Sequence, residues 1–204
     1  MWVIILITFF AYLLGSFPTS LIIGKYYYKI DVRNFGSKNS GATNTLRVLG
    51  AKAAIPVLII DVLKGFGATQ LVWFLNPSDP YFLHLKILFG AAAVTGHIFP
   101  IWANFKGGKG VATITGVIFS LSPIAGLICM LAFVLITTIS RYVSLASITT
   151  SFLLPFIFYL VLKDPYISIF SFSTFLLTVV THRKNIRRLL DGQENRISFR
   201  KKTN

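Results

Sequence analysis

Acidic residues are nearly missing from this chain. Its 204 residues contain 6 Asp and Glu together, and Glu194 is the only glutamate. A bridged two-metal carboxylate site needs several acids in one place, and a glycosidase needs a pair. Neither chemistry has the residues it requires. Cysteine is scarcer still: Cys129 stands alone in an apolar run. No intrachain disulfide or cysteine-based zinc site can form, and Cys129 reads as a small buried apolar residue. Charge of either sign is thin, at 13% of residues against about 25% in soluble domains. So few charges cannot cover a water-facing surface. Disorder is excluded from the other side, because 54% of residues are hydrophobic and disorder needs low hydrophobicity.

What remains is an all-α integral membrane protein, with a mean hydropathy of +0.72, built as a single polytopic domain over residues 1–204. Its cations dominate: 20 Lys and Arg against 6 acids give a net charge of +14. Such a balance points to nucleic acid, anionic lipid or an anionic substrate. The basic residues sit in short segments between apolar runs, not on one polar domain, so nucleic acid is the weakest of the three. The positive-inside rule accounts for part of the excess.

Residues 2–23 are mostly apolar, and no Lys or Arg precedes Lys25. They read as a retained first helix with its N-terminus outside, since a signal peptide would open on a basic stretch. Lys25, Lys29, Arg33, Lys38, Arg47 and Lys52 then mark a cytoplasmic segment. Apolar runs follow at about residues 53–75 and 83–104, separated by the turn Asn76-Pro77-Ser78-Asp79-Pro80. Residues 111–139 are too long for one straight crossing, and Ser122-Pro123 divides them. Two short helices, 111–121 and 124–139, keep Arg141 and the basic C-terminal tail on the cytoplasmic side; one kinked helix would put both outside. Runs at 145–162 and 166–181 complete about seven hydrophobic helices, some short, with the C-terminus in the cytoplasm. Arg200, Lys201 and Lys202 read as a polybasic tail touching anionic lipid.

Four polar segments fall on one side under this topology. Gly36 to Arg47 is small and rich in donors: Ser37, Asn39, Thr43 and Asn44 offer hydrogen bonds, and Arg47 a planar fork suited to phosphate. Its plainer reading is a flexible linker with a helix cap, which does not require so many donors. Lys106-Gly107-Gly108-Lys109-Gly110 interleaves glycines with lysines before a helix starting at Val111, as a phosphate-cradling loop would. Its spacing is wrong for a Walker A loop, so nucleotide hydrolysis loses support. Its plainer reading is a membrane-edge turn with snorkelling lysines. His97 lies just upstream and is either a satisfied core residue or a proton-transfer group. Ser140 to Ser147 sets Arg141 among hydroxyls, including Ser144. His182 to Glu194 carries His182, Asn185 and Arg188 at steps of three on an expected continuation of the last helix, which Gly192 ends. Asp61 and Lys64 lie inside the second run, where charges are costly; their spacing permits an ion pair that also positions the first loop. His84 and Lys86 read as interfacial.

Together Arg47, Lys106, Lys109, Arg141 and Arg188 would suit one or two phosphate groups at an apolar boundary. A small phospho-metabolite transporter is the competing class, but its site belongs near the midplane on broken helices, and the polar groups here gather at one face. A pure lipid anchor is the third reading, and it leaves the Gly, Asn, Ser and His content unused.

The blocks from Gly36 to Arg47, Gly96 to Thr113 and His182 to Glu194 resemble the bacterial acyl-phosphate:glycerol-3-phosphate acyltransferase (PlsY) family. Gly15-Ser16-Phe17-Pro18, Asp61 to Gly65 and Ser140-Arg141-Tyr142 share in the likeness, which spans nearly the whole chain. The resemblance implies transfer of a fatty acyl group from a long-chain acyl phosphate to the 1-hydroxyl of glycerol 3-phosphate, yielding lysophosphatidic acid and phosphate. It implies no metal and no cofactor. The placement of Lys and Arg puts the expected active site at the cytoplasmic face of the bacterial inner membrane, and a monomer is the expected state. His182, Asn185, His97 and Lys109 would be catalytic. Ser37, Asn39, Thr43, Asn44, Arg47, Lys106, Gly107, Gly108, Gly110, Ser144, Arg188 and Glu194 would bind substrate. His97, His182 and a substrate phosphate oxygen all stay open as the proton acceptor.

Overall fold

The structure is a computed structural model that describes residues 1–197. The expected lipid-binding tail at Arg200, Lys201 and Lys202 lies outside the described residues. Every hydrophobic run foreseen in the sequence carries a helix. α1 (Trp2–Ser16) ends at Phe17, whose extended backbone (ψ 114°) is what the following Pro18 demands. α2 (Thr19–Ile22) resumes the run and loosens into a wider turn at Ile23–Tyr27. α3 (Ala42–Leu49) is short and polar. Gly50, at φ +83°, turns the chain directly into α4 (Ala51–Gln70), a left-handed position that favours glycine. α5 (Phe82–Ile98) stops before Pro100, and α6 (Val111–Leu121) and α7 (Pro123–Ser140) follow. Between α6 and α7, Ser122 is extended (φ −154°, ψ 108°), so the long apolar stretch makes two helices, divided at the Ser122-Pro123 pair. α8 (Val143–Leu162), α9 (Pro165–Thr181) and α10 (Arg183–Leu190) close the chain.

Among the described residues, five helical segments are long and apolar enough to cross a membrane, or six if α9 and α10 are one broken span. α6, with 11 residues, reaches only about 16 Å, well short of the roughly 30 Å hydrocarbon layer. The last run does continue as a helix toward Gly192, but not in line: α9 and α10 meet at His182 with a 65° bend. Large apolar side chains such as Leu160, Ile139 and Phe74 lie on the outside, the surface a lipid solvent favours. The protein is an integral, multi-pass membrane protein.

The chain forms two compact units, Met1–Pro123 and the remainder from Ile124 on. In the first, α1 packs on α5 and α4 on α6, with Ala11, Ala68, Val72, Phe89 and Ala93 fully enclosed. The contacts are backbone-close. Gly65 lies against the Thr113 carbonyl and Gly116 against that of Val62; Gly15 and Gly96 do the same between α1 and α5. Lipid tails are as apolar as leucine, so membrane helices gain from dispersion at short range, and small residues allow it. In the second unit α8 packs on α9 around Leu154, Phe158 and Ile167. Its buried hydroxyls at Ser147, Ser171, Thr174 and Thr178 return hydrogen bonds to carbonyls of their own helix, which spares them a partner elsewhere.

This packing gives a paired test in α4. A methyl group at Gly65 would strike the Thr113 carbonyl, whereas at Gly67 it meets only a leucine methyl at 3.8 Å. Gly65→Ala should destabilise the protein by about 1–3 kcal/mol. Gly67→Ala should be neutral or stabilise it by up to about 1 kcal/mol, because alanine suits a helix better than glycine. Thermal unfolding of both variants in the same detergent checks the ordering.

Candidate active site

The first unit holds two polar loops. Asp31 caps a short turn at Val32–Asn34 and grips Arg33 through three hydrogen bonds, from the backbone amide and Nε to Oδ1, both at 3.0 Å, and from Nη2 to Oδ2 at 2.8 Å. The Arg33 guanidinium holds the Asp31 carboxyl far below its usual range, against the opposing effect of burial. Arg33 also donates to the Ala103 carbonyl at 3.3 Å, which ties the first loop to the segment before the glycine-rich loop. Sequence reading passed over this pair.

Asn44 organises the first loop and is 1% exposed. Its amide nitrogen donates to the carbonyls of Val32 (2.8 Å) and Phe35 (3.2 Å). Its oxygen accepts from the Ser37 amide (2.8 Å) and hydroxyl (3.1 Å). All four of its hydrogen-bonding positions are used, so Asn44 staples the loop and has no capacity left for a ligand. Gly36 sits at φ +58° and faces this amide so closely that a side chain would strike it. Asn39, Thr43 and Arg47 stay partly exposed around the staple.

The glycine-rich loop also departs from the expected arrangement. The Gly107 amide donates to the Ile98 carbonyl and the Gly108 amide to that of His97, both at 3.1 Å. These two N–H groups face inward and are already committed, so they do not serve a phosphate. The loop instead delivers the chain to the start of α6. Its first intrahelical bond comes from Ile114 to Gly110 at 2.8 Å, so the amides of Val111 to Thr113 form the helix's positive end. Lys106 is exposed and Lys109 half-buried. His97 is buried, with its ring toward Asp61.

In the second unit Glu194 is the centre. Its Oε1 accepts from Ser144 Oγ (3.0 Å) and Asn185 Nδ2 (2.8 Å), and its Oε2 from Arg188 Nε (2.7 Å). Glu194 thus fixes three donors at once. The sequence signal for this fold-back is Gly192, the residue expected to end the helix. Gly192 lies at φ +68°, its amide donates to Leu189 and that of Gln193 to Arg188. This is a Schellman turn, and it swings Glu194 back beside α10. Burial alone would raise the Glu194 carboxyl, but the hydrogen bonds from Arg188, Asn185 and Ser144 outweigh it and hold it below the ordinary value. At the bend, His182 Nδ1 lies 2.9 Å from the Thr178 carbonyl. A carbonyl only accepts, so Nδ1 carries the proton, and in the neutral ring Nε2 is the acceptor.

Among the described residues no group of three His, Cys, Asp or Glu side chains gathers as a metal site. The first unit offers cations, hydroxyls and helix-end amides, groups of the kind that suit phosphate. The second offers a histidine with a set tautomer, of the kind that suits a hydroxyl.

Glu194→Gln tests the second cluster. Losing one charged acceptor among buried donors should cost about 1–3 kcal/mol at neutral pH. The native carboxyl is depressed, so its stabilisation is complete above the ordinary value of 4.5 and fades as pH falls through the lower folded value. The melting-temperature gap between the two proteins should therefore narrow below about pH 4.5; a constant gap down to about pH 3 would contradict the assignment.

Comparison with known proteins agrees with the geometry. The family model for glycerol-3-phosphate acyltransferase matches residues 5–192. The glycerol-3-phosphate acyltransferase of Macrococcus caseolyticus is 45% identical over 200 residues, covering 97% of this chain and 99% of that one. That of Fusobacterium nucleatum is 43% identical, covering 93% and 95%. Crystal structures of PlsY (YgiH), an integral membrane glycerol 3-phosphate acyltransferase, superpose closely. Its glycerol 3-phosphate form gives a TM-score of 0.87 at 37% identity, with 96% of each chain covered. Its lysophosphatidic acid form gives 0.84 at 36%, covering 96% of this chain and 95% of that one. The chain belongs to the glycerol-3-phosphate acyltransferase family.

Proposed function

We propose that this chain moves a fatty acyl group from acyl phosphate to the 1-hydroxyl of glycerol 3-phosphate, producing lysophosphatidic acid and inorganic phosphate for phospholipid synthesis. The hydroxyl oxygen attacks the acyl carbon, the bond from that carbon to the phosphate oxygen breaks, and phosphate leaves. An acyl phosphate is already activated, so the protein needs no nucleophile of its own; positioning and charge stabilisation supply the rate. Arg47, with Ser37, Asn39 and Thr43 nearby in sequence, takes the phosphate of glycerol 3-phosphate. Lys106, Lys109 and the amides at the start of α6 take the phosphate of the donor. His182 Nε2 accepts a hydrogen bond from the glycerol hydroxyl, and Asn185 orients it. Anchored on a neutral carbonyl, the His182 ring takes the hydroxyl proton at Nε2 as the attack proceeds and passes it to the departing phosphate. Ser144 and Arg188 contribute through the arrangement that Glu194 holds.

The observation that carries this reading is the fixed tautomer of His182, set by Nδ1 on the Thr178 carbonyl. It supplies a hydroxyl acceptor within a chain otherwise furnished with phosphate-binding cations. The excess of Lys and Arg in the inter-helix segments supports an active site at the cytoplasmic face of a bacterial inner membrane, with the N-terminus outside and the C-terminus inside. We take residues 1–204 as one acyltransferase domain that works as a monomer without metal or cofactor; the family match over residues 5–192 supports the single domain.

The test is phosphate release by purified protein given palmitoyl phosphate, with EDTA present. Release that requires glycerol 3-phosphate and yields lysophosphatidic acid is expected; folded protein without it would sink the reading. Lys109→Arg should lose about ten-fold or more in turnover, because a forked guanidinium does not replace a point ammonium at a fitted site.

A further inference from the structure

A buried charged cluster in the first unit has no part in the chemistry above. Asp61 Oδ1 accepts from Lys64 Nζ at 2.9 Å and from Thr19 Oγ1 at 3.0 Å. Lys64 Nζ also donates to the Phe17 carbonyl at 3.1 Å, at the point where Pro18 breaks the first span. His97 Nδ1 lies 3.8 Å from the same Asp61 oxygen and has no hydrogen-bond partner among the described residues. The three side chains are 3%, 4% and 6% exposed. On the other side of the His97 ring lies the glycine-rich loop, so close that a side chain on Gly108 would collide with Nε2. The His97 and Ile98 carbonyls hold that loop through the Gly108 and Gly107 amides. A small cavity of about 10 Å³, bordered by Ser40, Gly107, Asp61, Lys64 and His97, has room for about one water.

An i, i+3 ion pair could satisfy itself within α4. This one reaches beyond its helix in two directions, to the break between α1 and α2 and to the ring that backs the loop. Charged groups at this depth are expensive, and apolar side chains of the same size would serve packing equally well. Lys109 follows Gly108 directly, and Lys106 precedes Gly107. A shift of about 1 Å in a positioning element can cost about 100-fold in rate.

We propose that Asp61, Lys64 and His97 are positioning residues that hold the Lys106–Gly110 loop in its working geometry. The proposal rests on the reading of Lys106 and Lys109 as phosphate ligands. Asp61→Asn alone strands the Lys64 charge and should lower the melting temperature. Asp61→Asn with Lys64→Met removes both charges and should recover it. Recovery of stability without recovery of turnover is the expected result. Turnover should stay down by about ten-fold or more, with KM for palmitoyl phosphate raised and KM for glycerol 3-phosphate within about two-fold of native. Hydrogen exchange in the peptide spanning Lys106–Gly110 should quicken by about ten-fold while the rest of the first unit is unchanged.

Turnover and loop exchange that both return with stability would overturn the proposal and leave a purely structural ion pair. If the double variant does not fold, His97→Gln keeps the pair intact and carries the same exchange comparison, with native-like loop exchange again overturning it. A wild-type protein that releases no phosphate would defeat the functional reading, while the exchange data still decide the positioning.

Discussion

A polar atom inside a bilayer must find its partner within the protein, because the hydrocarbon offers none. Most of this structure follows from that constraint. Ser147 in α8 and Ser171, Thr174 and Thr178 in α9 bond back to their own helices. Lys86 donates to the Ser120 carbonyl at 2.7 Å, at the end of the short α6, and Ser120 in turn receives Gln70 at 2.6 Å. A helix too short to cross the membrane is thereby given partners for its otherwise orphaned end. Asp61 and Lys64 satisfy each other and the carbonyl that Pro18 leaves behind.

The same constraint shapes the polar segments between helices. Asn44, the Gly107 and Gly108 amides and Glu194 look like ligand-binding groups, yet each is committed to holding backbone or side chains in place. Their work is indirect. They fix Ser37, the start of α6, Asn185 and Arg188, and so limit how far these groups move when a substrate arrives. For a reaction whose donor is already activated, such fixed geometry is a larger contribution than any one reactive side chain.

The helical architecture was legible because its signals are local. Hydrophobic run length, Ser122-Pro123 and Gly192 each act within a few residues, and α6 begins and ends where the pattern places it. The polar segments were legible as regions, and the family resemblance rested on them. What sequence could not supply was the direction of each hydrogen bond. Asn44 finds Val32 and Phe35, and Glu194 finds Ser144, only through tertiary distances that spacing does not encode. The bend at His182 was missed for a related reason: no proline or glycine marks it, and the apolar run simply ends there. Asp61 and Lys64 were readable as a pair, but their reach to Thr19, Phe17 and His97 was not.

The most direct test of the account is to determine the position of glycerol 3-phosphate bound to this protein in lipid. The account predicts its 1-hydroxyl within about 3.2 Å of His182 Nε2, with Nδ1 still on the Thr178 carbonyl. A bound substrate whose hydroxyl lies away from His182, or a His182 ring turned so that Nδ1 faces the ligand, would contradict it.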